Sequence, residues 1–424
     1  MAEPAGPEPS AEAHFAPAER ATLRRLLTSS ALSKIADWQL GIVVPLVVLT
    51  ESRSVSASLL TFALRALAYA VSPLIGSVVD RFDRSAVFIA AQFQQALCLA
   101  VVAFTPDNLS VLSVMLLLSG FGGVASSIAG QFVLVPQLFS RTERPHAAAR
   151  LGAVIEYSRA FGMLVGGLTV SVSGPTFALA CTALCYAAAG CIAHGLPRAR
   201  PGPSRSTLKA DLVIGLAWLR RPEIFWLVTS LSLMNLASGQ IEIVLVTLFE
   251  QYGLVALVSS LILTAGSLLS GAANRLASRL LPRSTPERRI LACQSLHVVS
   301  LAVLCIPGIG AKVVGYALHA FATGAINVTS IVYRQNVIPI DIAGRVNSTM
   351  RMFIAGSIPL SAAVYAAAGH MRPALYWVPG LVLMAGAVLV WVVWVLRLRK
   401  AGASVKGQQA TASQRVGQEG KVTE

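Results

Sequence analysis

Apolar runs of about 20 residues recur along the chain, and this recurrence restricts the possible folds more than any other feature. A helix of that length crosses the hydrocarbon core of a bilayer, which is about 30 Å thick. The predicted spans number twelve: 31–50, 55–79, 85–105, 110–135, 151–172, 175–196, 224–249, 253–273, 290–310, 312–333, 347–368 and 374–396. The runs predict an all-α membrane protein with twelve transmembrane helices.

The composition agrees with a membrane protein and disfavours a soluble one. Hydrophobic residues make up 55% of the chain and charged residues 12%, whereas a typical soluble domain has about 25% charged residues. The formal net charge is +15, but the charges lie in short segments between the apolar runs. That placement indicates that the partner is the lipid bilayer, and it argues against nucleic-acid binding.

The Lys and Arg residues predict the orientation. With a cytoplasmic N-terminus, 27 of the 34 lie in cytoplasmic segments, three outside and four within spans. Lys and Arg are enriched in cytoplasmic loops of membrane proteins. The sequence therefore predicts a multi-pass protein of the cell inner membrane with both termini in the cytoplasm.

The predicted spans fall into two sets of six. Between them lies 197–223, which contains Pro197, Pro201, Pro203 and six basic residues. We predict a disordered tail at 1–20, an N-terminal six-helix bundle at 21–196, a cytoplasmic linker at 197–223, a C-terminal six-helix bundle at 224–396 and a basic tail at 397–424. Two such bundles enclose a cavity without a partner subunit, so a monomer is expected.

Short matches between the two sets suggest a repeat. Gln39 corresponds to Gln240. Arg159 and Phe161 in span five correspond to Arg351 and Phe353 in span eleven. Parallel repeats of six helices place the substrate path between the two halves. We therefore expect a 6+6 arrangement with a small-molecule path at the interface.

Charged residues inside spans are candidates for function, because insertion of one costs about 2.5–3.5 kcal/mol at the bilayer centre. Asp37 in the first span and Arg65 in the second can pair across a helical hairpin. A carboxylate whose pKa depends on a nearby cation can carry a proton, so these two are our proton-coupling candidates. A fixed structural salt bridge is the alternative. Lys34 is expected to extend toward the interface.

A second set of polar residues is predicted to line the path. Glu156 and Arg159 lie three residues apart and can pair within one helix, or Arg159 can face the cavity. Interface or helix-bridging roles are the alternatives for the whole set. The cavity candidates are Glu156, Arg159, Asn235, Glu242 and Arg351.

Other residue types add little chemistry. His297 and His319 are expected to pack within the bundle, with a relay role as the alternative. The six cysteines lie in apolar segments and are interpreted as small hydrophobes. No nucleotide-binding loop or hydrolase motif is present in the sequence. We therefore predict no enzyme activity, no cofactor and no metal site, which leaves an ion gradient as the energy source or simple downhill passage.

The strongest motif follows the second span, from Gly76 through Asp80 and Arg81 to Arg84. Glycine permits close helix approach, and Asp80 can pair with an Arg or a helix N-terminus. The spacing resembles the loop between helices two and three of the major facilitator superfamily. The resemblance implies a cytoplasmic gate formed by Gly76, Asp80, Arg81 and Arg84. A turn with orienting charges is the alternative.

Two further segments carry this resemblance. Gly162, Gly166 and Gly167 resemble the helix-packing antiporter motif of the superfamily, with Met163 in place of its proline. The segment from Arg334 to Val346, and Asp37-Trp38, resemble the enterobactin-exporter and macrolide-efflux branch. The resemblance implies secondary active transport by alternating access, with proton-coupled efflux of a drug, antibiotic or siderophore. Nutrient uptake, lysolipid flipping and a non-transporting receptor or enzyme are the alternatives.

Overall fold

The structure is a computed structural model. It describes residues 16–140, 143–199, 208–280, 284–339, 342–368 and 375–419. Within these ranges, the side chains at 80, 131–132, 145, 208–211, 277–280, 343–345 and 399–419 are not described. Throughout the described part the secondary structure is helical and contains no strand, which confirms the all-α class.

Sixteen α-helices follow one another along the described chain. They are α1 Pro17–Ser52, α2 Val55–Ala66, α3 Ser72–Arg81, α4 Arg84–Phe104, α5 Leu109–Ser127, α6 Val135–Leu138, α7 Arg144–Ala193, α8 Leu208–Leu219, α9 Pro222–Ser238, α10 Ile241–Gln251, α11 Ala256–Leu280, α12 Pro286–Cys305, α13 Ile309–Val337, α14 Ala343–Gly356, α15 Ile358–Ala368 and α16 Val378–Glu419.

In the described residues, 11 helical stretches are long and apolar enough to cross a membrane. One of them, His146–Ala193, has 48 residues, about 72 Å of helix at 1.5 Å per residue. Inside it, Gly174 has φ 80° and ψ 172° and precedes Pro175. This backbone conformation is open almost only to glycine, so the helix breaks there.

Several spans are interrupted by irregular turns. A 3-10 segment, Leu67–Val71, joins α2 to α3 just before Pro73. A π-helical segment, Ile128–Leu134, joins α5 to α6. Pro73 has no N–H to donate to the helical hydrogen-bond ladder, which accounts for the irregular turn between α2 and α3. One sequence expectation is corrected: the predicted ninth span includes Pro307, but α12 ends at Cys305 and Pro307 lies in the following turn.

Apolar side chains fill the space between the helices. The buried face of α1 packs against α4, α5 and α7, with Val43, Val44 and Val48 fully buried. A second core joins α9 through α16, contains the fully buried Trp377 and Trp391, and extends across to Ile42, Leu59 and Met163 of the N-terminal half. Buried apolar area therefore stabilises the helices of both halves, and part of it lies between them.

The two halves meet most extensively at α7 with α11, α2 with α15 and α1 with α10, and α2 also contacts α10 while α3 contacts α14. The Ser56 hydroxyl donates to the Ala366 carbonyl at 3.0 Å. On the α7 side, the Leu257 N–H donates to the Ser171 hydroxyl at 2.9 Å. These contacts hold the halves together beside the polar residues described next.

Candidate functional site

The carboxylate of Asp37, in the middle of α1, is held by three side chains. Lys34, one turn earlier, donates from Nζ to Oδ2 at 2.6 Å. Arg65 of α2 forms an ion pair with Oδ1, and the Tyr186 hydroxyl donates to the same oxygen at 2.6 Å. The expected Asp37–Arg65 pairing is therefore present. Lys34, expected to extend to the interface, instead pairs with Asp37, because their spacing places them on one face of α1.

Neutral groups complete the surroundings of Arg65. Its guanidinium donates to Gln95 Oε1 at 3.1 Å and to the Tyr186 hydroxyl at 2.8 Å. A Cβ at Gly120 would lie 2.2 Å from the Arg65 carbonyl oxygen, so glycine there permits the close approach of α5 to α2. Four helices, α1, α2, α4 and α7, thus contribute to one ion-pair cluster, which we call the Asp37 cluster: Lys34, Asp37, Arg65, Gln95 and Tyr186.

The Asp37 cluster is enclosed but not sealed. The side chains of Asp37 and Arg65 are each 14% exposed, and that of Lys34 is 16% exposed. Two cations face one carboxylate, so the cluster carries a net positive charge when all three are ionised. A proton on Asp37 would remove the anion and leave two cations unbalanced, which links protonation to the arrangement of the surrounding helices.

A second ion pair joins the two halves. Arg159 of α7 pairs with Glu242, in the first turn of α10. The Tyr316 hydroxyl of α13 donates to the same Glu242 oxygen at 3.1 Å. The Arg159 guanidinium also lies over the Trp38 ring, 4.3 Å from its centroid, within the range of cation–π attraction. We call these four residues the interhalf latch: Trp38, Arg159, Glu242 and Tyr316.

The other predicted path residues lie apart from the latch. Glu156 is half-buried and makes no ion pair within the described part of the chain, although pairing with Arg159 was expected as one alternative. Asn235 donates to the Ile354 carbonyl at 2.7 Å and so bridges α9 to α14. Arg351 reaches the N-terminal half, with its guanidinium 5.5 Å from the Tyr69 ring centroid. A substrate-binding role for these residues stays a prediction.

The sequence profile described as Major Facilitator Superfamily matches residues 26–362. The chain belongs to this superfamily. No curated protein sequence matches it significantly. A superfamily member is a transporter and not an enzyme, which confirms that prediction.

Solved structures of other transporters share the superfamily fold. The nucleoside transporter NupG is similar with a TM-score of 0.70 and 13% identity, covering 88% of this chain and 98% of that one. A bacterial homologue of the iron transporter ferroportin, in an inward-facing state, has a TM-score of 0.65 and 17% identity, and the match covers 88% of this chain and 98% of that one. The POT family transporter PepTSo has a TM-score of 0.71 and 11% identity, and the match covers 91% of this chain and 98% of that one. At these identities the similarity shows the fold alone.

The superfamily loop motif lies between α3 and α4. Gly76 packs near Ile128, whose Cδ1 would be 3.9 Å from an added Cβ. Arg81 is exposed at the end of α3, and Arg84 is 7% exposed at the start of α4. The side chain of Asp80 lies outside the described residues. The gate role predicted for these four residues stays a prediction.

Asp83, within the same loop, tethers the chain beyond α7. Its Oδ1 accepts hydrogen bonds from the N–H groups of Ser85 at 2.9 Å and Ala86 at 3.2 Å, which caps α4. The same oxygen accepts from the Ala199 N–H at 3.3 Å, and the Arg84 N–H donates to the Ala199 carbonyl at 3.1 Å. An Asp just before a helix is a capping signal that sequence reasoning could have used.

The glycines of the predicted antiporter motif lie at helix contacts. A Cβ at Gly162 would be 2.5 Å from the Ile35 carbonyl oxygen, and one at Gly166 would be 3.1 Å from that of Gln39. At Gly167 it would be 2.0 Å from the Ser260 hydroxyl of α11. The glycines thus let α7 approach α1 on one face and α11 on another.

Sequence reasoning missed the neutral partners of the ion pairs. Tyr186, Tyr316 and Gln95 carry no formal charge and lie in helices far along the chain from Asp37 and Glu242. Tyr or Gln in an apolar run gives a weak signal, because such residues also bridge helices without any function. Only the packing of the helices selects these three.

Proposed function

We propose that this superfamily member is a proton-coupled exporter of an amphipathic small molecule that works by alternating access. The Asp37 cluster supports this proposal most strongly. A carboxylate with two cations and a tyrosine hydroxyl stands inside helices that are apolar enough to cross a membrane. Ionisable residues at such depth are costly and typically mark substrate or proton pathways.

The proposed architecture has twelve spans in two six-helix bundles. The protein is proposed to lie in the cell inner membrane with both termini in the cytoplasm. The break at Gly174 supports two spans within His146–Ala193, since about 20 residues suffice to cross a bilayer. The lysine and arginine distribution supports the orientation. The helix α8 falls within the proposed linker, 197–223. We propose that one chain is the working unit.

In the proposed cycle, Asp37 carries the coupling proton. While Asp37 is ionised it pairs with Lys34 and Arg65 and offsets one of their two positive charges. Protonation removes that offset, and two neighbouring cations in an apolar setting then need water or another anion. A conformation that admits water to the cluster is favoured by protonation, and the packed conformation is favoured by proton release.

The interhalf latch would control which side of the membrane is open. In the proposed orientation, the contact between Ser56 and Ala366 lies at the outer end of α2 and α15. The Arg159–Glu242 pair joins the same two halves deeper in the protein. The arrangement is consistent with a conformation closed toward the outside. Separation of the halves at the outer end would then require Glu242 to exchange Arg159 for another partner.

The substrate class is supported by the segment from Arg334 to Val346, which resembles the exporter branch. The similar structures transport chemically different solutes, as their titles name a nucleoside, a peptide-transporter family and iron. The fold therefore does not select the substrate. Glu156, Asn235 and Arg351 are our candidates for contacts with it, together with the latch residues once they separate.

A transport assay tests the proposal. Everted inner-membrane vesicles containing the protein would be energised and offered lipophilic dyes, macrolides and siderophores. We expect uptake of at least one class, lost on addition of a protonophore, and absent from vesicles without the protein. Solute movement only in the opposite direction, or movement only of a lysolipid, would favour uptake or lipid flipping and overturn the export proposal.

A further inference from the structure

A buried pair of histidines lies in the C-terminal half, outside the Asp37 cluster and the interhalf latch. His297 on α12 is 1% exposed and His319 on α13 is 8% exposed. Their Nδ1 atoms are 3.1 Å apart, which is a hydrogen-bond distance. One ring must therefore donate through Nδ1 while the other accepts. The proton between them can belong to either ring.

The outer nitrogens of the pair are unequally satisfied. His319 Nε2 lies 3.5 Å from the Thr323 hydroxyl. His297 Nε2 is buried and has no hydrogen-bond partner among the described residues. An unpaired buried polar atom destabilises the folded protein, and a pair with a purely structural role gains nothing from one. The orphaned nitrogen points to a pair whose proton content changes.

The pair is connected to the interhalf latch through one residue. Tyr316 lies one turn before His319 on α13, and their ring centroids are 6.3 Å apart. The Tyr316 hydroxyl donates to Glu242 at 3.1 Å, and Glu242 is the partner of Arg159. Any movement that separates Arg159 from Glu242 therefore changes the charge close to the histidines.

Few charged groups can act on the pair. Arg159 is connected to the pair through Glu242 and Tyr316, and the two histidines contact each other. Glu242 from α10, the neutral Tyr316 and the Cys293 thiol, one turn before His297, are the other titratable groups nearby. The remaining described charges of the helices packed around the pair lie near helix ends: Glu223, Glu250, Arg275, Glu287, Arg288, Arg289, Lys312, Arg334 and Arg397.

We propose that His297 and His319 form a second protonation site, which is neutral while Arg159 binds Glu242 and takes up one proton when that ion pair opens. While Arg159 is held in the latch, its charge repels a proton on the pair. When Arg159 leaves, the Glu242 carboxylate faces the histidines without its counter-charge and attracts one. The proton comes from water in the opened path, binds an imidazole nitrogen and is released when the latch closes. The inference rests on the latch in the proposed function.

Nitrogen-15 NMR of protein labelled in its histidines, held in lipid nanodiscs, tests this inference without any substrate. The Arg159→Gln variant imitates the opened latch by removing the cation and leaving Glu242. Between about pH 5 and pH 8, we expect the pair to stay neutral in the wild type and to gain a proton in Arg159→Gln. Arg159→Met serves the same purpose if the glutamine variant does not fold.

Matched variants make the result specific. His297→Gln and His319→Gln assign the signals, and His194→Gln removes a histidine that is exposed. Arg65→Gln removes an arginine from the other cluster, and Arg159→Lys retains the latch charge, so both should leave the pair neutral. A pair that stays neutral in Arg159→Gln and Arg159→Met, or that is equally protonated in the wild type, would overturn the inference. Failure of the export proposal would appear in the vesicle assay instead.

Discussion

At the scale of single residues, two groups of ion pairs hold charged side chains inside the spans. Asp37 has Lys34 and Arg65, and Glu242 has Arg159. Removal of one member of such a pair leaves an uncompensated charge, which typically costs about 3–5 kcal/mol. Removal of both members is far less costly. The clusters therefore constrain which single substitutions the protein can tolerate.

The Arg159–Glu242 pair gives the first prediction. Glu242→Gln should lower the apparent melting temperature in detergent strongly, because Arg159 then lacks its anion. The double variant Arg159→Gln/Glu242→Gln should be more stable than Glu242→Gln alone, by at least about 1 kcal/mol. A double variant whose loss equals the sum of the two single losses would show that the pair is not coupled.

The sequence was sufficient to predict one of these pairs and not the other. Asp37 and Arg65 lie in consecutive spans, and a hairpin of two helices brings such residues together. Arg159 and Glu242 are 83 positions apart, and their contact depends on how two halves dock. Because a single sequence contains no direct signal for docking, local spacing offers only Glu156 as a partner for Arg159, beside the alternative that Arg159 faces the cavity.

At the scale of helices, the apolar runs located the spans, while their irregularities were less predictable. The break at Gly174 lies between the predicted spans 151–172 and 175–196, where Gly-Pro marks a stop. The π-helical segment at Ile128–Leu134 has no comparable sequence mark. Such segments depend on the packing of neighbouring helices, which propensity alone does not describe.

Gly174 provides the second prediction. Gly174→Ala should lower the stability of the protein by about 1–3 kcal/mol, because its positive φ is unfavourable for alanine. No atom lies within 4 Å of the added Cβ, so crowding does not contribute. Gly310→Ala, which also meets open space and lacks a positive φ, is the control. Thermal unfolding in detergent would compare the two variants. Equal losses of stability would contradict the claim that the positive φ of Gly174 causes the effect.

The contact of α7 with α11 gives the third prediction. Gly167→Ala should weaken the docking of the halves, since its Cβ would meet the Ser260 hydroxyl. We expect a loss of about 1–3 kcal/mol, partly restored by Gly167→Ala/Ser260→Gly. Gly152→Ala, in the same helix and with open space around its Cβ, should have little effect. Proteolysis or thermal unfolding would rank the variants, and no difference between Gly167→Ala and Gly152→Ala would refute the crowding argument.

At the scale of the whole molecule, alternating access requires that contacts between the halves break and reform. Ser56 and Ala366 bring α2 and α15 together at a direct hydrogen bond. In a background without native cysteines, Ser56→Cys/Ala366→Cys should form a disulfide under mild oxidation. We expect transport to stop when it forms and to return on reduction. Full transport by the cross-linked protein would mean that this contact does not open during the cycle.

The central claim is that Asp37 carries the coupling proton, and the most direct test is substrate-driven proton movement in proteoliposomes with a trapped pH dye. The solute would be the one identified in the vesicle assay. We predict that the wild type and Asp107→Asn, altered in the exposed turn after α4, move protons with the solute. Asp37→Asn should exchange labelled solute across the membrane but move no protons. Proton movement by Asp37→Asn at the wild-type ratio of protons to solute would contradict the account.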